Sequence, residues 1–557
     1  MLWKEDARIH ALINAVEYGG DADLGAVMGK IMSEHEELRN RAPEIKEDIA
    51  KIVDEINSLS LEDQESQLKE LAPEALSNEE EDRKYLPELL GDTSEVRMRF
   101  APNPSGPLHL GHARAVILND EYVKRYDGSL ILRIEDTDPR RVYPHAYDMI
   151  LDDMKFLDSI PDETIIQSKR MDEYYRIAQT LLDMGAAYIC NCSDGKFRQL
   201  KIESKACPCR TKSTDDNLDK WKMMVNGYYS AGEAVMRIKT SLNHPDPAIR
   251  EWPAFRIVEE PHPVFGDQYN AYPLMNFSVA VDDYLLDISH VIRGKDHIPS
   301  EKRQRYIFDY MDWDIPQYVH HGTLSIKEVE LSTRKIKEGI DSGRYEGWDD
   351  MRLGTIRTLK RRGITSEAIR QAIIKLGLSE VDASFSWKNL YSENRKVIDE
   401  SAERYFFVPD PLELNIEKAP SVTATPQIHP DIAEKRHIEV KENPCVLISS
   451  EDANELDNGD VIRLKNLYNI EIIDIDNLTA EYHSDDLSLL EEGIDIIQWV
   501  LSGDFVDVRV LKPESTIEGK AEKLVGELEI GKIVQFERFG FTRIDSKHPV
   551  VACYAHR

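Results

Sequence analysis

Two histidines three residues apart, His109 and His112, follow a run of loop-forming residues, Pro102-Asn103-Pro104-Ser105-Gly106-Pro107. An apolar stretch from Val96 to Ala101 leads into that run and predicts a short buried strand. From His109 onward Leu110, Ala113, Val116, Ile117 and Tyr122 recur at three- to four-residue spacing, which predicts a helix. Strand, Pro/Gly loop and helix is the arrangement with which α/β folds hold phosphate. The loop brings backbone close to the anion, and the helix start offers free N–H groups and the positive end of a dipole. Histidines at i and i+3 share one face of such a helix and can donate hydrogen bonds to phosphate oxygens. Ordinary first-turn residues are the plainer alternative. The pair lacks the spacing and the glutamate of a helical zinc-protease motif.

A second apolar strand, Leu130 to Ile134, runs into Glu135-Asp136-Thr137-Asp138. In a parallel βαβ unit the ligand crevice lies at the carboxyl ends of the strands, so this acidic run and the histidine loop should share it. A solvated turn, favoured by Asp138-Pro139, is the other reading of the acids. Further along, an apolar run ends in Arg293-Gly294-Lys295-Asp296-His297, and Leu331-Ser332-Thr333-Arg334-Lys335-Ile336-Lys337 forms a short basic loop. Cys190-Asn191-Cys192 and Cys207-Pro208-Cys209 offer four thiols as two Cys-x-Cys pairs. Such pairs suit a tetrahedral thiolate site, for which Zn2+ is the natural ion in a reducing compartment; surface thiols are the alternative. Lys201, Lys205, Arg210 and Lys212 lie near them, either facing RNA or offsetting thiolate charge.

The elements that position these groups follow from the rest of the chain. Its 557 residues suffice for roughly four domains. The formal net charge of −33 argues against a uniformly nucleic-acid-binding surface. The excess is uneven, however: Glu47 to Asp82 is strongly acidic, whereas Lys360-Arg361-Arg362 is a basic cluster able to meet RNA. No apolar run approaches membrane length, no leader is expected at the start, and six cysteines, four of them clustered, do not suit a secreted disulfide scaffold. A cytoplasmic protein without membrane contact is expected. Residues 1–94 read as helical, with stripes Ile9, Leu12, Ile13, Val16 and Ile45, Ile49, Ile52, Val53, Ile56, a turn at Gly19-Gly20, a capping box at Ser60 and Asp63, and an acidic linker starting at Glu79 to Asp82. Residues 345–404 read as helices with basic faces. From about 405 strands alternate, as in Val506-Asp507-Val508-Arg509-Val510, and predict a sandwich or barrels.

Taken in order, the motifs resemble those of class I aminoacyl-tRNA synthetases. Arg99-Phe100-Ala101-Pro102, Gly106 and His109-Leu110-Gly111-His112 resemble the first signature of that class. Arg133-Ile134-Glu135-Asp136-Thr137-Asp138 resembles the matching strand of its glutamyl/glutaminyl branch. Tyr272-Pro273, Val281-Asp282-Asp283, Val291 to His297, Trp348 to Leu353 and Asn394-Arg395-Lys396 continue the likeness, which spans about 95 to 410. The β-rich tail is similar to the two-barrel anticodon-binding region of archaeal-type glutamyl enzymes.

The resemblance implies an α/β plus β multidomain fold. It comprises an N-terminal helical docking module (1–94), a Rossmann-like catalytic core in two halves (95–185 and 286–340), and an acceptor-binding insertion with the zinc-type cysteines (186–285). A helical connector contacting the tRNA stem (341–404) and β-barrel anticodon-binding domains (405–557) follow. It implies ATP, with Mg2+, and L-glutamate as substrates, tRNA(Glu) as acceptor with tRNA(Gln) left open as a second, and a monomer or weak dimer. Pro102, His109, Gly111, His112, Ser332, Arg334 and Lys335 would serve ATP, with His109, His112, Arg334 and Lys335 catalytic. Glu135 would hold the substrate ammonium, Arg99 and Arg293 its carboxylates, and Lys360, Arg361 and Arg362 the tRNA. Where glutaminyl relatives usually carry Cys, this chain has Arg293, which favours glutamate. It departs from the pattern at Thr333, where lysine is usual, leaving Arg334 or Lys335 to face phosphate, and at Met275-Asn276, Met351 and Gly354. A glutaminyl enzyme, a tRNA-binding scaffold, a tRNA-base-modifying relative and a plain nucleotidyltransferase are the competing readings.

Overall fold

The structure is a computed structural model that describes residues 2–17, 22–35, 42–72, 85–491 and 493–557. The Gly19-Gly20 turn and the acidic run at 79–82 lie outside the described residues. The chain divides into two units, one up to Leu89 and one from Leu90 onward.

The first unit contains the helices Leu2–Glu17, Leu24–Glu34, Ala42–Asn57 and Leu61–Leu71. Leu12, Ile49, Ile56 and Leu68 form its buried core, so the stripes read from the sequence face inward. Asp23 and Ser60 cap two of the helices, each accepting from the backbone N–H three residues on. Such caps satisfy donors that a helix start would leave unpaired.

The second unit is built on a parallel sheet. β1 (Arg97–Phe100), β2 (Ser129–Ile134) and β3 (Glu163–Ile166) pair in that order. The antiparallel sheet β4 (Ala187–Cys190), β5 (Val235–Ile238), β6 (Pro253–Ile257) and β7 (Ala271–Pro273) follows. β8 (His290–Gly294) and β9 (Gln317–His321) form a second parallel pair. The Ser289 N–H donates to the Arg97 carbonyl at 2.9 Å, which lays β8 beside β1. The resulting order β3-β2-β1-β8-β9 reverses at β1, and an open α/β sheet leaves a crevice at the strand ends where its order reverses.

Beyond the core come the helices Ile356–Arg362, Ser366–Ile374 and Trp387–Ile398. Two seven-stranded sheets follow. In one, the edge strands Glu403–Tyr405 and Phe407–Pro409 are separated in sequence only by Phe406. In the other, the edges Ile496–Ile497 and Val500–Leu501 are separated only by Gln498 and Trp499. Edges joined by so short a link must meet, so each sheet curls on itself, and alternation packs one face of every strand inside. The expected all-β tail therefore consists of barrel-like sheets.

Candidate active site

The loop after β1 leads into the helix Leu110–Arg125, whose first residues hold the two histidines in a mutual capping arrangement. His109 Nδ1 accepts from the Gly111 N–H at 3.1 Å, and His112 Nδ1 accepts from the His109 N–H at 3.4 Å. The rings stack, with centroids 3.7 Å apart. Because both Nδ1 atoms accept, the neutral rings carry their proton on Nε2. Burial lowers the His109 pKa to about 4, and holds His112 well below the usual histidine range. Both are thus neutral donors at pH 7. A side chain on Gly111 would lie 3.0 Å from the His109 ring, so glycine here makes room for the stack.

Three contacts fix the loop from outside. The Leu108 N–H donates to Asp153 Oδ2 at 2.8 Å, the Leu110 N–H to the Gly354 carbonyl at 3.0 Å, and the Ile356 N–H to the Leu108 carbonyl at 2.9 Å. Gly106 packs against the Trp348 indole so closely that a Cβ would come within 2.8 Å of the ring.

Beside the histidines lies a charged layer at the ends of β1, β2 and β8. Arg99, on β1, and Arg133, on β2, both bond Asp283 from the helix Met275–Leu285. Arg133 also reaches Glu135 Oε1 at 3.2 Å. Burial opposes the charge of Asp283, yet Arg99 and Arg133 together hold its carboxyl below the ordinary range. For Glu135 burial outweighs the same two arginines and raises the pKa. Arg293, on β8, differs from both: its guanidinium lies 4.5 Å over the Tyr318 ring and gives one hydrogen bond, to Gln304 Oε1 at 3.1 Å.

Arg99, Pro102, His109, Gly111, His112, Glu135 and Arg293 line one cavity of about 830 Å³. Its wall includes Leu331 from the basic loop, but Ser332, Arg334 and Lys335 are not among its lining residues. Ser332 caps the helix Thr333–Asp341, Arg334 faces Glu338 at 3.5 Å and Lys335 faces Glu330 at 3.4 Å. The loop touches the histidine loop through Thr333, whose hydroxyl lies 2.9 Å from that of Ser105.

Two sequence readings need correction. Arg362 does not join Lys360 and Arg361 as a surface cation. It is buried, donating to the carbonyls of Tyr554 and Ala555 and to the Tyr391 hydroxyl, because a helix turns about 100° per residue and carries it to the inner face. Arg361 is tied to Asp545 at 2.9 Å, whereas Lys360 is exposed beside a groove it shares with Lys155 and Arg357. Asp136 is neither a solvated turn residue nor part of the cavity wall. It is fully buried and accepts from the Ser168 N–H and hydroxyl and from the Tyr147 hydroxyl.

The four cysteines are clustered as expected: every Sγ lies within 4.8 Å of the others. Cys207 Sγ stands 3.5 Å from Cys190 and 3.3 Å from Cys192, and Cys192 stands 3.9 Å from Cys209. Arg210 and Lys205, expected near the thiols, pair with Glu251 and Glu203 instead.

Known families decide what this crevice belongs to. Residues 95–400 match the catalytic domain of the tRNA synthetases class I (E and Q), and residues 402–485 and 496–545 match two anticodon-binding domains of the same group. The chain belongs to the class I (E and Q) tRNA synthetases. The glutamate–tRNA ligase of Methanopyrus kandleri is 49% identical over 99% of this chain and 98% of its own. Those of Pyrococcus furiosus and Methanocaldococcus jannaschii are 47% and 45% identical, each over 98% of this chain and 98% and 99% of their own. A solved glutamate tRNA ligase from Elizabethkingia meningosepticum aligns at 20% identity over 55% of this chain and 70% of that one, with a TM-score of 0.41. In this synthetase the sequence assigned no role to Arg133, which entered only as part of the β2 motif, and did not single out Gln304 or Tyr318. Only the tertiary contacts reveal what these three hold. Among the described residues no helix is long and apolar enough to cross a membrane.

Proposed function

We propose that this protein activates L-glutamate with ATP and transfers the glutamyl group from the adenylate to the terminal adenosine of tRNA(Glu); whether tRNA(Gln) is a second acceptor is what the charging assay below decides. In the first step the substrate α-carboxylate attacks the α-phosphorus and pyrophosphate leaves. Negative charge grows on the phosphate oxygens. Neutral histidines with Nε2–H donors at a helix start stabilise that charge without reorganising. Mg2+ would enter with the nucleotide and offset its phosphate charge. Glu135 takes the substrate ammonium and Arg99 a carboxylate.

The observation that carries glutamate over glutamine is Arg293, a buried cation with no carboxylate bonded to it among the described residues. Its charge is offset when a substrate carboxylate arrives and is left unmatched by an amide. The assay that decides is pyrophosphate exchange with each amino acid, followed by charging of purified tRNA(Glu) and tRNA(Gln). Preference for glutamine overturns the reading.

The cysteine cluster supports a structural Zn2+. Tetrahedral thiolates at about 2.3 Å from zinc stand about 3.8 Å from each other, and the observed separations of 3.3, 3.5 and 3.9 Å fit that set while far exceeding a disulfide. The metal would hold the start of the segment after β4 to the Cys207–Cys209 turn, within the acceptor-binding insertion at 186–285. The regions 1–94, 341–404 and 405–557 then serve as docking module, tRNA-stem connector and anticodon-binding barrels, with Lys360 a tRNA contact and Arg334 or Lys335 the phosphate-facing cation of the basic loop.

A further inference from the structure

Arg293 is 8% exposed, and of its donors Nη1 alone is engaged, by Gln304 Oε1. Nε and Nη2 are buried with no hydrogen-bond partner among the described residues. These two nitrogens form the side-on edge of the guanidinium, the edge that meets a carboxylate with two parallel bonds. The plane of the group is fixed by the Tyr318 ring beneath it. Gln304 is itself fully buried, on the helix Ile298–Met311, and its amide orientation is unambiguous because arginine only donates. Its Nε2 likewise has no partner.

The chemistry of position 304 is what sets this arginine apart. Arg99 is held by a carboxylate, Asp283, which it shares with Arg133. Arg293 is held by an amide oxygen and an aromatic face, which orient it and put no carboxylate in direct contact with it among the described residues. The acid nearest on the same helix, Glu301, is occupied by Arg305 and His320. We propose that Gln304 is the positioning residue for side-chain specificity: it clamps Arg293 by Nη1 over the Tyr318 ring, leaves the Nε/Nη2 edge unpaired beside the cavity that Arg293 lines, and, being neutral, reserves the arginine's charge for the substrate's side-chain carboxylate. This rests on the reading of Arg293 as the residue that receives that carboxylate.

The test uses the full-length enzyme with Gln304→Glu, Gln304→Met and, separately, Arg293→Ala, reading kcat and KM for glutamate, KM for ATP, and the glutamate/glutamine preference in pyrophosphate exchange. Gln304→Glu satisfies Arg293 internally. KM for glutamate should rise by about tenfold or more and the preference should fall similarly, with KM for ATP within about twofold of the parent. Gln304→Met removes the clamp but leaves the charge, so KM for glutamate should rise less while the preference is largely kept. A glutamate KM and preference unchanged in both Gln304 variants overturn the proposal, as does an equal rise in both KM values, the mark of a merely structural residue. An unchanged glutamate KM in Arg293→Ala overturns instead the reading on which it rests. Thermal melting identifies any variant that fails to fold, and the other position-304 variant then decides by the same two readouts.

Discussion

Asp283 holds Arg99 through a single oxygen, Oδ1 to Nε at 3.2 Å, and gives the same oxygen to Arg133 Nη1 at 2.6 Å. One buried carboxylate thus serves two cations that arrive from different strands, of which Arg133 also reaches Glu135 and Arg99 lines the cavity. Asn at this position keeps the shape and removes the charge. Leaving buried cations unpaired costs about 3–5 kcal/mol. Asp283→Asn should therefore lose stability of that order in chemical denaturation, and the glutamate KM should rise because Arg99 loses its anchor. A variant of parental stability and KM would mean that Arg133 and Glu135 suffice.

The histidine stack predicts a pH dependence with a definite sign. The His109 pKa falls from an ordinary 6.5 to about 4, so the folded state binds fewer protons than the unfolded chain between those values. The capping contribution is complete above 6.5 and is lost as the pH falls toward 4, because protonation removes the Nδ1 acceptors. His109→Asn keeps a good cap that does not titrate. Melting temperature against pH from 4 to 8 should be flatter for His109→Asn than for the parent, while pyrophosphate exchange falls at every pH because the Nε2–H donor is gone.

How much of this was legible beforehand differs from residue to residue. The strand, loop and helix around His109 could be read because the signals are local: an apolar run, a Pro/Gly cluster and a three-to-four spacing. The all-β tail was legible from period-two alternation, which left a sandwich or barrels open, and the resemblance chose barrels. The role of Asp283, which entered only as part of a family motif, and Gln304 altogether were not, because a polar residue inside a helix looks the same whether it faces water or a buried arginine. Arg362 was misplaced for a related reason. Adjacent residues in sequence share a charge run but not a helix face, and only packing decides which one turns inward.

Asp153 carries a second pH effect, of opposite sense. Burial raises its pKa to about 7, against the pull of Arg357 and the Leu108 N–H. The folded state therefore binds more protons than the unfolded chain between about 4 and 7, and this contribution to stability declines as the pH rises across that window, by on the order of 1 kcal/mol per pH unit. Asp153→Asn keeps an acceptor for Leu108 and cannot ionise. It should match or exceed the parent in stability at pH 8 and lose that advantage at pH 5, measured by urea denaturation at both values.

The four thiols predict a metal-dependent segment. Elemental analysis of folded protein should give close to one zinc per chain, and Cys207→Ser, which removes the sulfur that stands near both Cys190 and Cys192, should lose it. The loss should raise proteolytic sensitivity around residues 193–213 more than it changes pyrophosphate exchange, since the cluster lies on the β4–β7 sheet and none of its cysteines lines the cavity. Folded parental protein free of zinc would dismiss the metal.

Lys360 and Arg362 should separate cleanly when each is changed to alanine. Lys360 is exposed, 5.3 Å over the Phe156 ring and on the wall of a groove that includes Arg357 and Arg361. Removing it deletes a surface cation and no buried contact, so the tRNA KM should rise several-fold at low salt with stability unchanged, and the salt dependence of tRNA binding should lessen by about one ion. Arg362 donates to the carbonyls of Tyr554 and Ala555, joining its helix to the last strand of the chain. Its loss strands those acceptors and should cost about 1–3 kcal/mol of stability, with a salt slope for tRNA equal to that of the parent. A reduced slope in Arg362→Ala would return that residue to the RNA-facing surface.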